Sequence, residues 1–300
     1  MRKTVLAMAA PALVIVALAG CGSSSSSSGS STTGSGSTTP AIDPSIAKQV
    51  PAAIKSKGTL TVAADATYAP DEFIAPDGHT VIGWDAELAD ALAAVMGLKA
   101  KVVNATFDTI IPGLAAGKYD LGASSFTDTK EREKTVDFVT YYQAGTSFYA
   151  KGSANPGVNT IADLCGKAVS VEKGTTEQEE SEAQSKKCTK EGKKAVSVLT
   201  YPDQNGANLA ISSGRAELGM ADSPIADYQV KQSNGALKIV GKPYGPFTYG
   251  LAVPKNTGMT TAVLGAMKAL IANGTYLQIL KKWGVQDGAI TSPKINGAVE

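Results

Sequence analysis

Apolar residues follow two rhythms along this chain, short runs in one stretch and an apolar position every third or fourth residue in the next, and the two alternate between about residues 60 and 283. Residues 60–64 alternate and are rich in β-formers, which predicts a strand, followed by a loop through Tyr68 and Pro70. Asp85 is placed to N-cap a helix whose Leu88, Ala91, Leu92 and Val95 share one face, and Gly97 stops it. A strand over 99–103, a helix over 108–116 closed by Gly117, and a strand over 121–124 come next. A second series begins after Lys151: helix 161–164, strand 168–171, helix 176–185, strand 196–200, helix 207–213 and strand 218–221. Ser223-Pro224 is a sound helix start, and a strand over 237–240 follows. Residues 249–253 read as a returning strand, and two amphipathic helices, around 262–272 and 277–283, end the series. Strands and helices in alternation predict an α/β fold with parallel sheets and helical crossovers. The roughly 250 residues beyond Ala47 suit two lobes better than one core.

The start of the chain has a different character. Residues 1–3 are basic, 5–19 form an uncharged apolar run, and Ala19-Gly20 supplies small residues before Cys21. Leu18-Ala19-Gly20-Cys21 resembles a bacterial lipobox, in which the cysteine is lipid-modified and becomes the mature N-terminus. The expectation is a signal peptide over 1–20 and a protein held outside the cytoplasm by acyl chains on Cys21, each buried methylene contributing about 0.8 kcal/mol. The stretch 22–40 is almost entirely Ser, Thr and Gly, which leaves nothing to bury. Residues 21–46 therefore read as a lipidated tether, with an r.m.s. reach of roughly 25 Å for a coil of about 20 residues.

Charge and cysteines narrow the chemistry. A net charge of +1 leaves no footprint for nucleic acid. The two remaining cysteines, Cys165 and Cys188, are even in number and face an oxidising compartment, so a disulfide is the default and two separate buried thiols the alternative. The single histidine, His79, sits in a turn-like Asp77-Gly78-His79, and no ligand cluster spaced for a metal accompanies it. No metal or other cofactor is expected.

At Tyr68-Ala69-Pro70, Gly83-Trp84-Asp85, Ile111-Pro112, Ser124-Ser125-Phe126-Thr127, Arg132 and Val136-Asp137-Phe138 the sequence resembles the family 3 extracellular solute-binding proteins. These are the polar amino-acid receptors of ABC importers, among them the lysine/arginine/ornithine-, histidine- and glutamine-binding proteins. The likeness runs from about Gly58 to Trp283 and includes Gly174-Thr175-Thr176 and Met220-Ala221-Asp222. It implies a type II periplasmic binding protein fold: two Rossmann-like lobes, residues 47–147 with 248–300 and residues 148–247, joined by two segments crossing near 145–149 and 247–250. Asp128 and Tyr141 depart from the family pattern, which usually has an apolar residue at the first position and often proline at the second.

A zwitterionic amino acid needs a planar cation and backbone donors for its carboxylate and an opposed carboxylate for its ammonium. Arg132 can grip a carboxylate with two parallel hydrogen bonds. Its setting, Lys130-Glu131-Arg132-Glu133-Lys134, reads equally as a solvated charged helix, and the resemblance, with Ser125 and Thr127 nearby, favours the ligand role. Thr127 adds a hydroxyl, and the amides of Thr175 and Thr176 at a helix N-terminus complete the anion site, whether or not Thr175 also caps the helix. Asp222, at the C-terminal end of its strand, receives the ammonium by resemblance, the alternative being a cap on the amides near Ile225. Tyr68 and Phe107 wall the aliphatic stem, with a cation–π contribution of about 0.5 to 2 kcal/mol for a cationic head group. Asp65 and Glu172 match family positions at the side-chain end of the pocket. They make that end acidic unless local lysines, such as Lys173, neutralise them.

These features imply a non-enzymatic, monomeric binding protein that captures a polar, preferably basic amino acid and delivers it to ABC permease subunits. A neutral ligand such as glutamine is the near alternative. A cyclohexadienyl-dehydratase-like enzyme on the same fold, with Glu172 as a lone general acid, is the alternative of another class. A receptor's sensory module is a third, disfavoured because no span or signalling domain follows up to Glu300.

Overall fold

The structure, a computed structural model, describes residues 40–298. The apolar run, Cys21 and most of the expected tether lie outside the described residues. The folded body begins before the expected tether ends: α1 (Pro44–Ala47) is capped by the Asp43 side chain, which accepts from the Ser45 and Ile46 amides, and Ile46 is buried. The Asp43 amide donates to Val95 O at 3.0 Å, tying this turn to the first core. Helix α2 (Ala52–Lys57) leads through Gly58 into β1 (Thr59–Ala64).

Three short strands stand where a loop was expected. β2 (Thr67–Tyr68), β3 (Glu72–Ile74) and β4 (Val81–Ile82) form a separate antiparallel sheet. Strands of two or three residues are too short for periodicity to register. Gly83 then turns the chain into α3 (Trp84–Val95) at φ +129°, and a Cβ on it would lie 2.1 Å from the Asp71 carbonyl oxygen, so the close approach requires glycine. Helix α3 buries Trp84, Leu88, Leu92 and Val95 against β1, β5 (Lys99–Asn104), and the later helices α8 (Met259–Ala272) and α9 (Thr275–Trp283). Each fully buried side chain of this kind contributes roughly 1.5–3 kcal/mol. Helix α4 (Phe107–Ala115) and β6 (Leu121–Gly122) complete the first half.

β1 lies between β5 and β6 and parallel to both. The second half repeats the arrangement: β8 (Ala168–Glu172) lies between β9 (Ser197–Tyr201) and β10 (Leu218–Asp222), again parallel to both. Helices α5 (Thr176–Lys190) and α6 (Gln204–Ser213) connect these strands, and α7 (Ser223–Gln232) follows β10. α5 outruns its predicted length because its last turn carries little apolar signal. Glu177 and Glu179 in the first turn, with Lys187 and Lys190 in the last, suit the helix dipole there.

Two long antiparallel strands, β7 (Val136–Lys151) and β11 (Leu237–Pro254), run through the middle of the eight-stranded sheet and join the halves. The strands expected at 237–240 and 249–253 are the two ends of β11. Its register shifts between Val240 and Tyr244, between Tyr244 and Phe247, and at Tyr249/Gly250. These bulges fall where the sheet passes from one half to the other. β7 takes β10 as a neighbour only from Thr146 onward. Its other half is covered by the C-terminal segment, where the Thr140 amide donates to Lys294 O and the Asn296 amide to Phe138 O. Apolar residues gather into separate cores on either side, around Leu60, Trp84 and Met267 in one half and around Phe148, Val169 and Leu218 in the other.

Cys165 and Cys188 are disulfide-bonded across 23 positions, with Cys188 inside the second core. Closing a loop of that length stabilises by about 3 kcal/mol in the chain-entropy model. The double substitution Cys165→Ala/Cys188→Ala should lower the urea-unfolding free energy by about that amount, because it opens the loop in the unfolded chain. An unchanged unfolding midpoint would show that the bond contributes nothing.

Candidate functional site

The parallel strands of the two halves end toward each other, and side chains carried just beyond those ends meet in a narrow cleft. All ten residues selected from the sequence as ligand contacts line it. Asp65, Tyr68, Phe107, Ser125, Thr127 and Arg132 come from the first half, and Glu172, Thr175, Thr176 and Asp222 from the second. Ser124 and Glu177, which sequence reasoning did not select, line it as well. The halves touch directly across the cleft. Tyr68 donates its hydroxyl to Asp222 Oδ2 at 2.9 Å, Gln204 its amide to Thr67 Oγ1 at 3.2 Å, and Lys173 pairs with Asp108 at 2.7 Å.

Arg132 opens a short 3-10 turn, Arg132–Lys134, in place of the solvated helix its neighbours suggested. Nη1 donates to Thr127 O at 2.8 Å and Nη2 to Gly174 O at 2.9 Å, so the guanidinium is held by carbonyls from both halves. It also lies 5.5 Å from the ring centre of Phe107 and 5.8 Å from that of Phe126, two rings stacked 4.6 Å apart. Phe107 thus supports the arginine as well as forming a wall. None of the ion pairs among the described residues includes Arg132, which leaves its charge for an anion. Thr175 does cap α5, accepting from the Gln178 amide at 3.2 Å while donating to Glu172 O at 2.8 Å. The remaining amides of that first turn face the cleft end of the helix, where backbone donors favour negative charge.

Asp222 occupies the N-cap position of α7 yet makes no side-chain cap bond, so the capping alternative is not taken. Its Oδ2 accepts from Tyr68, and its buried Oδ1 has no partner. Burial, reinforced by the charge of Glu177, pushes its pKa well above the ordinary aspartate range. Glu177 itself accepts from the hydroxyls of Thr146 and Thr176.

At the end of the cleft away from Arg132, Asp65 accepts from the Thr67 hydroxyl at 2.7 Å and from the Phe107 amide at 2.9 Å, the first amide of α4. Glu172 approaches it from the opposite half within hydrogen-bonding reach, and Glu172 Oε1 is buried with no partner. Burial raises the pKa of both; the charge of Asp65 raises Glu172 further, while the hydrogen bonds Asp65 accepts from Thr67 and Phe107, and its contact with Glu172, pull Asp65 back down. The expected alternative, a salt bridge from Glu172 to Lys173, does not form, because Lys173 turns to Asp108.

A layer of acids behind the cleft was not foreseen. Asp85 is wholly buried and caps nothing; Gly83 holds the N-cap position, and Asp85 Oδ2 accepts from the Ser125 amide at 3.0 Å and the Tyr141 hydroxyl at 2.7 Å. Asp71 accepts from Trp84 Nε1 at 2.6 Å and the Ser125 hydroxyl at 2.8 Å, and Glu72 from the Ser124 hydroxyl at 2.7 Å. Ser125 takes a left-handed backbone conformation here, φ +48°, with its hydroxyl donated to Asp71. Burial pushes Asp85 up to about 7 and raises Asp71 and Glu72 as well. The signal was present in the sequence: Asp85 lies three positions before Leu88, on the apolar stripe of α3.

Two α/β halves joined by two long crossing strands, with polar side chains converging between them, define a two-lobed solute-binding protein of the type II periplasmic class. The family model for bacterial extracellular solute-binding proteins, family 3, matches residues 60–286, and the chain belongs to that family. It is 34% identical over 254 residues to the arginine-binding protein ArgT of Corynebacterium glutamicum, covering 84% of this chain and 83% of that one. It is 31% identical over 225 residues to the ABC transporter arginine-binding protein 1 of Escherichia coli, covering 73% of this chain and 87% of that one. Among solved structures, an ancestral arginine-binding protein bound to arginine superposes with a TM-score of 0.69 at 33% identity, covering 75% of this chain and 98% of that one. An ancestral amino acid-binding protein described as a precursor of cyclohexadienyl dehydratase is also similar, with a TM-score of 0.66 at 32% identity, covering 77% of this chain and 97% of that one.

Proposed function

We propose that this protein captures a basic amino acid, arginine, lysine or ornithine, between its lobes without transforming it, and presents it to the permease of an ABC importer. In this reading the first lobe comprises residues 47–147 with 248–300 and the second residues 148–247. The protein is a monomer kept outside the cytoplasm by lipid on Cys21. Arg132 grips the ligand carboxylate with help from Thr127 and the amides of Thr175 and Thr176, Asp222 receives the ammonium, and Tyr68 and Phe107 flank the stem.

The observation that carries the reading is the charge count at the far end of the cleft. Asp65 and Glu172 are buried there, and the adjoining lysine is paired elsewhere. Leaving such carboxylates unpaired costs several kcal/mol, and a cationic ligand side chain supplies the partner. The names of the arginine-binding relatives support the same choice. Against enzymatic turnover stands the use of each polar group: Glu172 faces another carboxyl, and no nucleophile–base pair lines the cleft among the described residues.

Ligand binding raises the stability of the folded state by RT ln(1 + [L]/Kd), so a thermal-shift series over the common amino acids tests the proposal directly. Arginine, lysine and ornithine should give the largest shifts, glutamine a smaller one, and glutamate and aspartate the least. A larger shift with glutamate than with arginine would overturn it.

Arg132→Lys should weaken arginine binding by on the order of 3 kcal/mol, roughly a hundredfold, since a bidentate grip becomes a point contact. Asp222→Asn should be comparably damaging because the ligand ammonium loses its counter-charge. Calorimetry with either variant at native affinity would remove that residue from the site. Cys21→Ala should move the protein from the membrane to the soluble fraction with arginine binding intact, and retention of the variant on membranes would refute the lipid anchor.

A further inference from the structure

Asp65 and Glu172 come from opposite halves, Asp65 just past β1 and Glu172 at the end of β8. When the cleft is closed they lie within hydrogen-bonding reach of each other, both nearly inaccessible. Among the described residues, no ion pair includes either acid. Asp203 at the start of α6 and Glu72 on β3 face Asp65, while Asp203, Glu177 on α5 and Asp65 face Glu172. Tyr149 of β7 lies close enough for Glu172 to bear on its hydroxyl, which accepts from Gln204 and donates to Asn208. Lys173 is paired with Asp108, and Arg132 is held at the other end by Thr127 and Gly174. The donors present, Thr67 and the Phe107 amide, all serve Asp65, and Glu172 Oε1 is left without a partner.

Two ionised carboxylates brought together out of water repel, so closure requires something positive between them. Resting on the amino-acid-binding reading above, we propose that the Asp65–Glu172 pair is a charge gate: the cleft closes when the pair receives either a cationic ligand side chain or a proton. The raised pKa values of both groups in the closed form agree with this requirement. In the open form the two acids separate into solvent and return toward ordinary values near 4. A basic amino acid then closes the cleft with no change in bound protons. A neutral amino acid such as glutamine closes it only by taking one proton from solution onto the pair.

The signs follow from linkage. Above the open-form values and below the closed-form value, the glutamine complex holds one more proton than the free protein, so glutamine affinity falls by up to tenfold per pH unit as pH rises. Arginine affinity stays level over the same range. The ratio of the two affinities is therefore set by pH, and selectivity for basic ligands widens from acidic to neutral surroundings.

Calorimetric titration of the full chain with arginine and with glutamine at pH 5.5, 6.5 and 7.5, repeated in two buffers of different ionisation enthalpy, tests the gate. The expected result is an arginine-to-glutamine affinity ratio that grows roughly tenfold per pH unit, with about one proton taken up per glutamine and none per arginine. Glu172→Gln should abolish the proton uptake and level the ratio across pH, and Asp65→Asn should do the same if the first variant is unstable. Equal pH profiles and equal proton counts for both ligands in the wild type would overturn the gate while leaving amino-acid binding intact. Failure of both ligands to bind at any pH would overturn the binding reading and the gate with it.

Discussion

A carboxyl group taken out of water needs a proton, a hydrogen-bond donor or a cation, and this constraint organises the interlobe region. Seven buried acids, Asp65, Asp71, Glu72, Asp85, Glu172, Glu177 and Asp222, lie in or behind the cleft around a single guanidinium, that of Arg132. The donors are recruited accordingly. Trp84 and Ser125 serve Asp71, Ser124 serves Glu72, Tyr141 and the Ser125 amide serve Asp85, and Tyr68 reaches across to Asp222. Ser125, in its left-handed turn, answers Asp71 with its hydroxyl and Asp85 with its amide.

The same constraint separates the two ends of the cleft. Near Arg132 the positive charge is fixed by carbonyls and aromatic faces, so it is oriented before any anion arrives. At the far end two buried carboxyls, one from each lobe, stand with no ion-pair partner, and burial raises the pKa of both. Under the proposed function, the fixed cation at one end and the two acids at the other answer the carboxylate and the distant cation of a basic amino acid. The long ladder of β7 with β11 makes this possible, because its register shifts let each lobe keep its own core while presenting strand ends to the other.

Elements with their own local signature were legible in the sequence. The helices with an apolar stripe, the strands of the two parallel blocks and the cap at Thr175 stand close to where periodicity and capping placed them. The small sheet of β2 to β4 left no periodic signal, and the two predicted strands at 237–240 and 249–253 are one strand whose bulges interrupt the alternation. The family motifs carried the rest, bringing together ten residues spread from Asp65 to Asp222 that no local pattern relates.

The sequence by itself determined the order and type of the main elements, the lobe-and-cleft class, and the residues available to the cleft, because caps, periodicity and motifs act over a few neighbouring positions. Only the tertiary structure decided which charges were paired. Asp85 looks like a helix cap until the Ser125 amide and the Tyr141 hydroxyl, 40 and 56 positions away, are seen to fill its shell. Lys173 looks like a partner for the adjacent Glu172 until Asp108 is found opposite it. Asp222 looks like a cap until Tyr68, 154 positions away, donates to it. The electrostatics of a buried acid depend on what the rest of the fold brings within a few ångströms, and sequence neighbours are a poor guide to that.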